Sequence, residues 1–330
     1  MSAAPAPVID LHCHAAGIGA GGSGCRVSDR LRRSPRFRVY LRAYGVTEEE
    51  LRREGDALVI SRLAQRLAAS REVSGAVVLA LDGAVDAWGR LDETATEVYV
   101  PDRFVAEETA RCPNLFFGAS VNPLRRDALE RLDEAAARGA VLVKWLPPIQ
   151  GIDPADPRHA AFYRRLAELG LPLLSHTGTE RSFTRSRDDL GDPERLRLPL
   201  RLGVTVVAAH GAAAGSTDRH PNFRRLAALA REHPNLWADV SSLTQVNHPG
   251  ALARLLGEPA FRGRLLYGTD MPLIATSLVT PWFFAPRLGL AKARELARIP
   301  NPWDRDVALK RALGVPQVVF EAPARLLPLP

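Results

Sequence analysis

Four apolar runs, far apart in the sequence, each end in side chains able to hold a metal ion. They are Val8 to His14 (ValIleAspLeuHisCysHis), Leu171 to His176, Thr205 to His210 and Leu265 to Asp270. Successive side chains of a β-strand face opposite ways, so His12 and His14 project from one face and Cys13 from the other. Two imidazoles at that spacing can chelate one ion, and His176 and Asp270 complete a set of three neutral nitrogens and a carboxylate. Such a set suits Zn2+, with Mn2+ or Fe2+ as alternatives. A divalent ion acidifies a coordinated water to a pKa of about 7. The chemistry then needs a group to position that water and move its proton, and His210 has the right type and place. The remaining histidines, His159, His220, His233 and His248, fall in helical or loop contexts and read as ordinary polar residues.

Such ligands need a repeating scaffold that brings strand ends together. Eight apolar runs fit buried strands, at 8–14, 75–82, 115–122, 140–146, 171–176, 205–210, 236–241 and 265–270. Several are continuously apolar, as parallel strands covered on both faces should be. Amphipathic helical stripes lie between them, for example Leu124, Ala128, Leu132 and Ala135, and Pro or Gly marks the joins. From Asn122 through Lys144, His176, His210 and Ser241 to Asp270, strand ends recur about every 30 residues, the length of one βα unit. The pattern predicts a single-domain α/β chain, 1–330, folded as a (β/α)8 TIM barrel over about 7–280, with a C-terminal helical extension over 281–330. In that fold the C-terminal strand ends carry the active site.

The first interval is the exception, because His14 and Asp82 lie more than twice that distance apart. The surplus holds a glycine-rich stretch, Gly17 to Gly24, then six arginines between Arg30 and Arg42, then a helical pattern over 47–70. It reads as an insertion after strand one, with the glycine-rich part as a mobile lid. It is no phosphate loop, since it has neither the Lys-Ser/Thr ending nor the dinucleotide-binding spacing. The tail, with Trp282, Phe283 and Phe284, is expected to pack across the barrel or to support a contact between copies of the chain.

Composition narrows the function classes. A hydrophobic content of 46% and a charged content of 25% are those of an ordinary globular protein, and no apolar run reaches the ~20 residues of a membrane span. Three scattered cysteines argue against a disulfide framework. With an N-terminus lacking a basic, then apolar, leader pattern, they point to the cytoplasm. The net charge of +7 raises nucleic acid as a partner, but no RNA-binding aromatic signature or zinc-knuckle spacing accompanies it. The charge is read as solvated helix faces and ion pairs that help attract an anionic small molecule. Only Lys144, Lys292 and Lys310 among the 44 basic residues are lysines, which singles out Lys144 at the end of ValLeuValLys.

The motifs together resemble the amidohydrolase superfamily, and within it the amidohydrolase-related group of metal-dependent TIM-barrel hydrolases and decarboxylases. The resemblance runs through AspLeuHisCysHis, GlyAlaValLeuValLysTrpLeuPro, SerHisThrGly, AlaHisGly and TyrGlyThrAspMetPro, in order, over about 8–272. It implies that His12, His14, His176 and Asp270 match the ligands of the mononuclear decarboxylase branch, and that His210 matches its water-activating histidine. In binuclear members the strand-six histidine binds a second metal, and a carboxylated strand-four lysine, here Lys144, bridges the ions. The other reading of Lys144 is a cation that binds a substrate carboxylate or pairs with an acid, and this is preferred, with one metal. Arg181 or Arg185, after strand five, could clamp a carboxylate, and Asp239 could orient neighbouring groups. The expected function is metal-dependent hydrolysis of a small, carboxylate-bearing amide, ester or lactone, with Asp270 or His210 shuttling the proton. Nonoxidative decarboxylation of an aromatic or unsaturated acid is the alternative. An inactive barrel acting as a scaffold is the alternative of another class.

Overall fold

The structure, a computed structural model, describes residues 6–330. All eight runs form parallel strands of one sheet in sequence order: β1 (Ile9–His14), β2 (Gly75–Leu79), β3 (Leu115–Ala119), β4 (Ala140–Trp145), β5 (Leu173–His176), β6 (Val206–Ala209), β7 (Leu236–Asp239) and β8 (Leu265–Leu266). Backbone hydrogen bonds then join β1 to the chain that continues β8. Leu11 N–H donates to Tyr267 O at 3.3 Å, His14 N–H to Met271 O at 2.8 Å and Asp270 N–H to His12 O at 2.8 Å. These contacts bring the two edges of the sheet together as a (β/α)8 barrel. The strands are shorter than the apolar runs. β6 stops at Ala209 and β8 at Leu266, so His210 and Asp270 stand on the loops just beyond them.

β1 carries one residue more than β2 across its middle, since Asp10 pairs with Ala76 but Cys13 with Val78. This bulge resets the alternation of the strand. Ile9 and Leu11 face the barrel interior before it, while Cys13 packs outward among the helices after it. The interior beneath the site is filled by Leu11, Leu79, Leu142, Leu174, Val207 and Leu266, none more than 1% exposed. Burying each such side chain is worth about 1.5–3 kcal/mol. The C-terminal extension completes this core. Its last helix, Gln317–Leu326, and the residues after it pack Ala322, Leu326, Leu327 and Leu329 on the same cluster, beside Phe116 and Trp237 from the starts of β3 and β7.

A second tie binds the extension to the outer side of β1. Asp10 is wholly buried and accepts hydrogen bonds from His12 N–H (3.0 Å), Thr269 N–H (2.9 Å), the Thr269 hydroxyl (2.6 Å) and the Trp303 indole (2.8 Å). Burial pushes its pKa up to about 6. One carboxylate thus links β1, the loop after β8 and the helix Pro302–Ala312.

The insertion after β1 builds helices Asp29–Arg33, Pro35–Tyr44, Glu48–Glu54 and Ala57–Ala68. The helical pattern over 47–70 is broken at Gly55, whose φ of 89° suits glycine alone, and a Thr47–Glu50 capping box starts its first half. The glycine-rich stretch is not the free lid expected from its composition. The Asp56 carboxylate accepts from Ile18 N–H (3.0 Å), Gly19 N–H (2.8 Å) and the Ser23 hydroxyl, which pins the turn from within. A Cβ on Gly17 would lie 2.4 Å from Asp56 Oδ2, so the close approach needs glycine there. In the arginine cluster, Arg32 pairs with Glu48 and Arg36 donates to the Phe183 carbonyl at 2.9 Å. Among the described residues no helix is long and apolar enough to cross a membrane.

Replacing Trp303 by Phe removes one donor from the buried Asp10 and some indole volume. It is expected to cost about 1–3 kcal/mol, read as a lower urea midpoint. An unchanged midpoint would show that this link does not hold the extension to the barrel.

Candidate metal centre

His12, His14, Lys144, His176, His210 and Asp270 converge at the C-terminal ends of the strands, with Asp239 behind them. His12 Nε2 lies 3.2 Å from His14 Nε2 and 3.6 Å from Asp270 Oδ1, and His14 Nε2 is 3.2 Å from the same oxygen. The His210 ring stacks 5.1 Å from His12 and stands 5.2 Å from His176, centroid to centroid. Donor atoms of His12, His210 and Asp270 all fall within 4.8 Å of one another. His12, His14 and Asp270 thus form the tightest donor group, and His210, expected to move the proton, joins His12 and Asp270 in a looser one.

Asp239 sets this geometry. Its Oδ2 accepts from His12 Nδ1–H at 2.7 Å, and its Oδ1 accepts from His210 N–H (2.7 Å), Ser241 N–H (3.1 Å) and the Ser241 hydroxyl (2.5 Å). Burial opposes its ionisation, but His12, His210 and Ser241 outweigh that and hold it below the usual carboxylate range. With Nδ1 protonated toward Asp239, the His12 Nε2 lone pair points into the cluster, as a ligand requires. Burial, helped by the nearby Lys144, brings His12 down to about 3 and keeps it neutral. The Ser241 hydroxyl gives its one proton to Asp239, so it accepts from His210 Nδ1 at 2.8 Å and leaves His210 Nε2 bare. That Nε2 lies 4.0 Å from Asp270 Oδ2.

The backbone is held in unusual conformations here. His210, Ser242 and Asp270 have φ of 61°, 59° and 63°, a region non-glycine residues seldom adopt, at about 1–3 kcal/mol each. Hydrogen bonds hold two of them, His210 N–H on Asp239 and Asp270 N–H on the His12 carbonyl. The Ser242 hydroxyl donates to Asp270 Oδ2.

The donor set fits a divalent ion on a structural test. His176 Nε2 is buried without a hydrogen-bond partner, while its Nδ1 lies 3.4 Å from Glu180 Oε2. Burial, with His210 and Lys144 nearby, holds His176 well below its ordinary range, so it is a neutral nitrogen donor. A buried, unpartnered imidazole nitrogen on a ring 5.2 Å from that of His210 is what a metal would satisfy. Lys144 is also fully buried. Its Nζ is 3.1 Å from His12 Nε2, no carboxylate among the described residues comes within 4.0 Å of it, and burial lowers its pKa to about 8.

Two connected cavities open from the cluster. The inner one, about 870 Å3 including its open mouth, reaches from His14, Lys144, His176, His210 and Asp270 into the insertion helices. The outer one, about 1300 Å3, is rimmed by Arg36, Arg181, Gln245 and His248. Arg181 is exposed on that rim, and Arg185 is exposed and lines neither cavity. Glu180, four residues after His176, lines both, although the arginines beside it had looked the stronger candidates. Ser241 was missed. Its signal was the Asp239-X-Ser241 spacing at the end of β7, which repeats the His12-X-His14 pattern.

The amidohydrolase family model matches residues 9–298, nearly the whole chain. The chain belongs to the amidohydrolase family. Family membership brings metal dependence, which agrees with the cluster of imidazole and carboxylate donors. No curated protein matches the sequence significantly. Among solved structures, an uncharacterized TIM-barrel protein from Bordetella bronchiseptica is similar at 18% identity and a TM-score of 0.57, over 92% of this chain and 99% of that one. A probable 2-pyrone-4,6-dicarboxylic acid hydrolase from Acinetobacter baumannii, with citric acid bound, aligns at 14% identity and a TM-score of 0.52, over 97% and 94%. The 5-carboxyvanillate decarboxylase of Sphingomonas paucimobilis aligns at 11% and 0.51, over 98% and 99%. At these identities the likeness establishes the barrel fold, in an amidohydrolase whose neighbours include both hydrolases and a decarboxylase.

Changing Asp239 to Asn preserves shape but loses the anionic acceptor that orients His12. Metal affinity, measured by competition with a chromophoric chelator, should fall about 10–100-fold with the far-ultraviolet circular dichroism unchanged. An affinity within twofold of the parent protein would remove Asp239 from its organising role.

Proposed function

We propose that this amidohydrolase is a metal-dependent hydrolase of a small organic amide, ester or lactone, with His12, His14, His176 and Asp270 as ligands. The observation that carries the reading is the buried His176 Nε2 without a hydrogen-bond partner, in a ring 5.2 Å from that of His210, at a centre whose Asp270 is held well below the usual carboxylate range. When bound, the ion supplies Lewis acidity and an acidified water at neutral pH. The protein's own residues do the rest. His210, fixed at Nδ1 by Ser241, presents an unprotonated Nε2 that takes a proton from the attacking water. Asp270, whose Oδ2 faces that nitrogen, relays the proton toward the leaving group. A carboxylate on the substrate would meet Lys144 within the inner cavity, or Arg181 only where it extends to the outer rim. Zn2+ is the proposed ion, because nitrogen-rich sets with one carboxylate suit it.

A second reading of Lys144 has its own support. An ammonium 3.1 Å from a ligand nitrogen, with no carboxylate beside it, would repel a bound cation. A neutral amine at that place could instead add carbon dioxide and, on losing a proton to water, become an anionic carbamate; Lys144 and His210 would then help hold a second ion. Nonoxidative decarboxylation uses the same ligands but requires a proton to be placed on the carbon that loses carbon dioxide.

These readings separate experimentally. His210→Asn is expected to keep one equivalent of metal by elemental analysis and to lose at least about 100-fold in kcat, the usual scale of general-base loss. Release of an ion would move His210 into the ligand set. Lys144→Ala is expected to leave metal content unchanged and to raise KM for an acidic substrate, because uniform binding is lost. Loss of a second equivalent would establish the bridging carbamate instead. A panel of lactones, amides and esters beside aromatic and unsaturated acids should show hydrolysis without carbon dioxide release. Carbon dioxide from an acid, with no turnover of the acyl compounds, would replace the hydrolase by the decarboxylase.

A further inference from the structure

The inner cavity has two ends of opposite character. One end is the donor cluster. The other is walled by Leu31, Phe37, Leu41, Leu81, Val98 and Phe183, from the insertion after β1, the chain after β2 and the loop after β5. Two tyrosines complete the wall, and each has its hydroxyl proton engaged by the backbone. Tyr44 donates to the His14 carbonyl at 3.0 Å and Tyr40 to the Ser182 carbonyl at 3.2 Å, so neither has a free proton to give a ligand. Among the described residues no arginine lines this chamber, Lys144 at the metal end is its one lysine, and it carries the further carboxylate of Glu180. Arg181 and Arg36 line the outer cavity instead, and Arg36 gives a guanidinium N–H to the Phe183 carbonyl at 2.9 Å.

A second or third carboxylate on a substrate would therefore enter an apolar wall with no cation to meet it, a costly desolvation. A hydrocarbon or aryl group there would be favourable, because its apolar surface would leave water for an apolar wall. Resting on the hydrolase reading, we propose that the chamber is an acyl- or aryl-binding pocket. It selects substrates with one polar, metal-facing end and one apolar end over compact polycarboxylates. The insertion after β1 is thus a specificity element that supplies the far wall of the site.

The test uses the full-length, zinc-loaded protein and a series of hydroxamic acids as probes, each with the same chelating head. Acetohydroxamic, butyrohydroxamic and hexanohydroxamic acids vary the apolar tail, and succinic monohydroxamic acid adds a terminal carboxylate. Calorimetric Kd values should fall roughly fourfold per added methylene until the chamber is full, the equivalent of about 0.8 kcal/mol per buried methylene. The succinic probe should bind at least tenfold more weakly than the butyric one. Phe37→Ala should flatten the dependence on tail length, and Leu31→Arg should narrow or reverse the succinic penalty. Equal affinity across the tails, or preference for the succinic probe in the parent protein, would overturn the chamber proposal while leaving the metal reading intact. Failure of every probe to bind would overturn the metal reading and this proposal with it.

Discussion

The buried carboxylate of Asp239 is the interaction on which the site depends. It sits at the end of β7 and accepts from His12 on β1, from His210 just past β6 and from Ser241 just past its own strand. Those contacts choose the tautomer of His12, and through Ser241 that of His210, so that both imidazoles turn bare nitrogens toward Asp270. They also stabilise the backbone of His210 in a conformation that a non-glycine residue resists. An ionised acid in so dry a place is unfavourable alone. It is tolerated because four donors meet it, which couples the charge state of the site to the closure of the barrel around it.

Asp10 performs the matching task on the opposite side of β1. Where Asp239 aims the side chains of the site, Asp10 fixes the loop that carries Asp270 by binding Thr269 through both its amide and its hydroxyl. The Trp303 indole extends this link to the C-terminal helices, and the last helix fills the base of the barrel. The extension is thus a structural part of the scaffold that positions the metal-facing loop. The bulge in β1 allows both tasks on one strand, since it lets Leu11 and His12 serve the interior in succession while Asp10 and Cys13 face the helices.

The barrel and the insertion divide the work. Strand ends supply the polar, metal-capable groups, and the long segment after β1 supplies apolar surface and aromatic rings. The glycine-rich turn that begins this segment is pinned on Asp56, which fixes how the helices carrying Leu31, Phe37 and Tyr40 approach the mouth. A rigid polar centre under an apolar roof is a common division in small-molecule sites, where a few polar groups orient the ligand and burial supplies affinity.

Much of this was legible in the amino-acid order. Parallel strands covered on both faces must be apolar throughout, so all eight announced themselves, and their regular spacing implied the barrel. His12, His14, His176, His210 and Asp270 could be placed together because each follows such a run directly. The rest depended on contacts between segments that sequence spacing does not encode. A bulge leaves no mark in an apolar run, so the inward turn of both Leu11 and His12 was decided by pairing with β2. Glycines suggested a mobile lid, but the carboxylate that pins them lies more than thirty residues away in the chain, at Asp56. Arg181 and Arg185 looked like substrate clamps by charge alone, whereas loop geometry sent them to the rim and the surface and turned Glu180 inward. Residue type and local period settle which elements form and which groups can do chemistry. Only the closing of the barrel decides which of those groups meet and what faces them across the cavity, because that is a matter of direction and distance between remote parts of the chain.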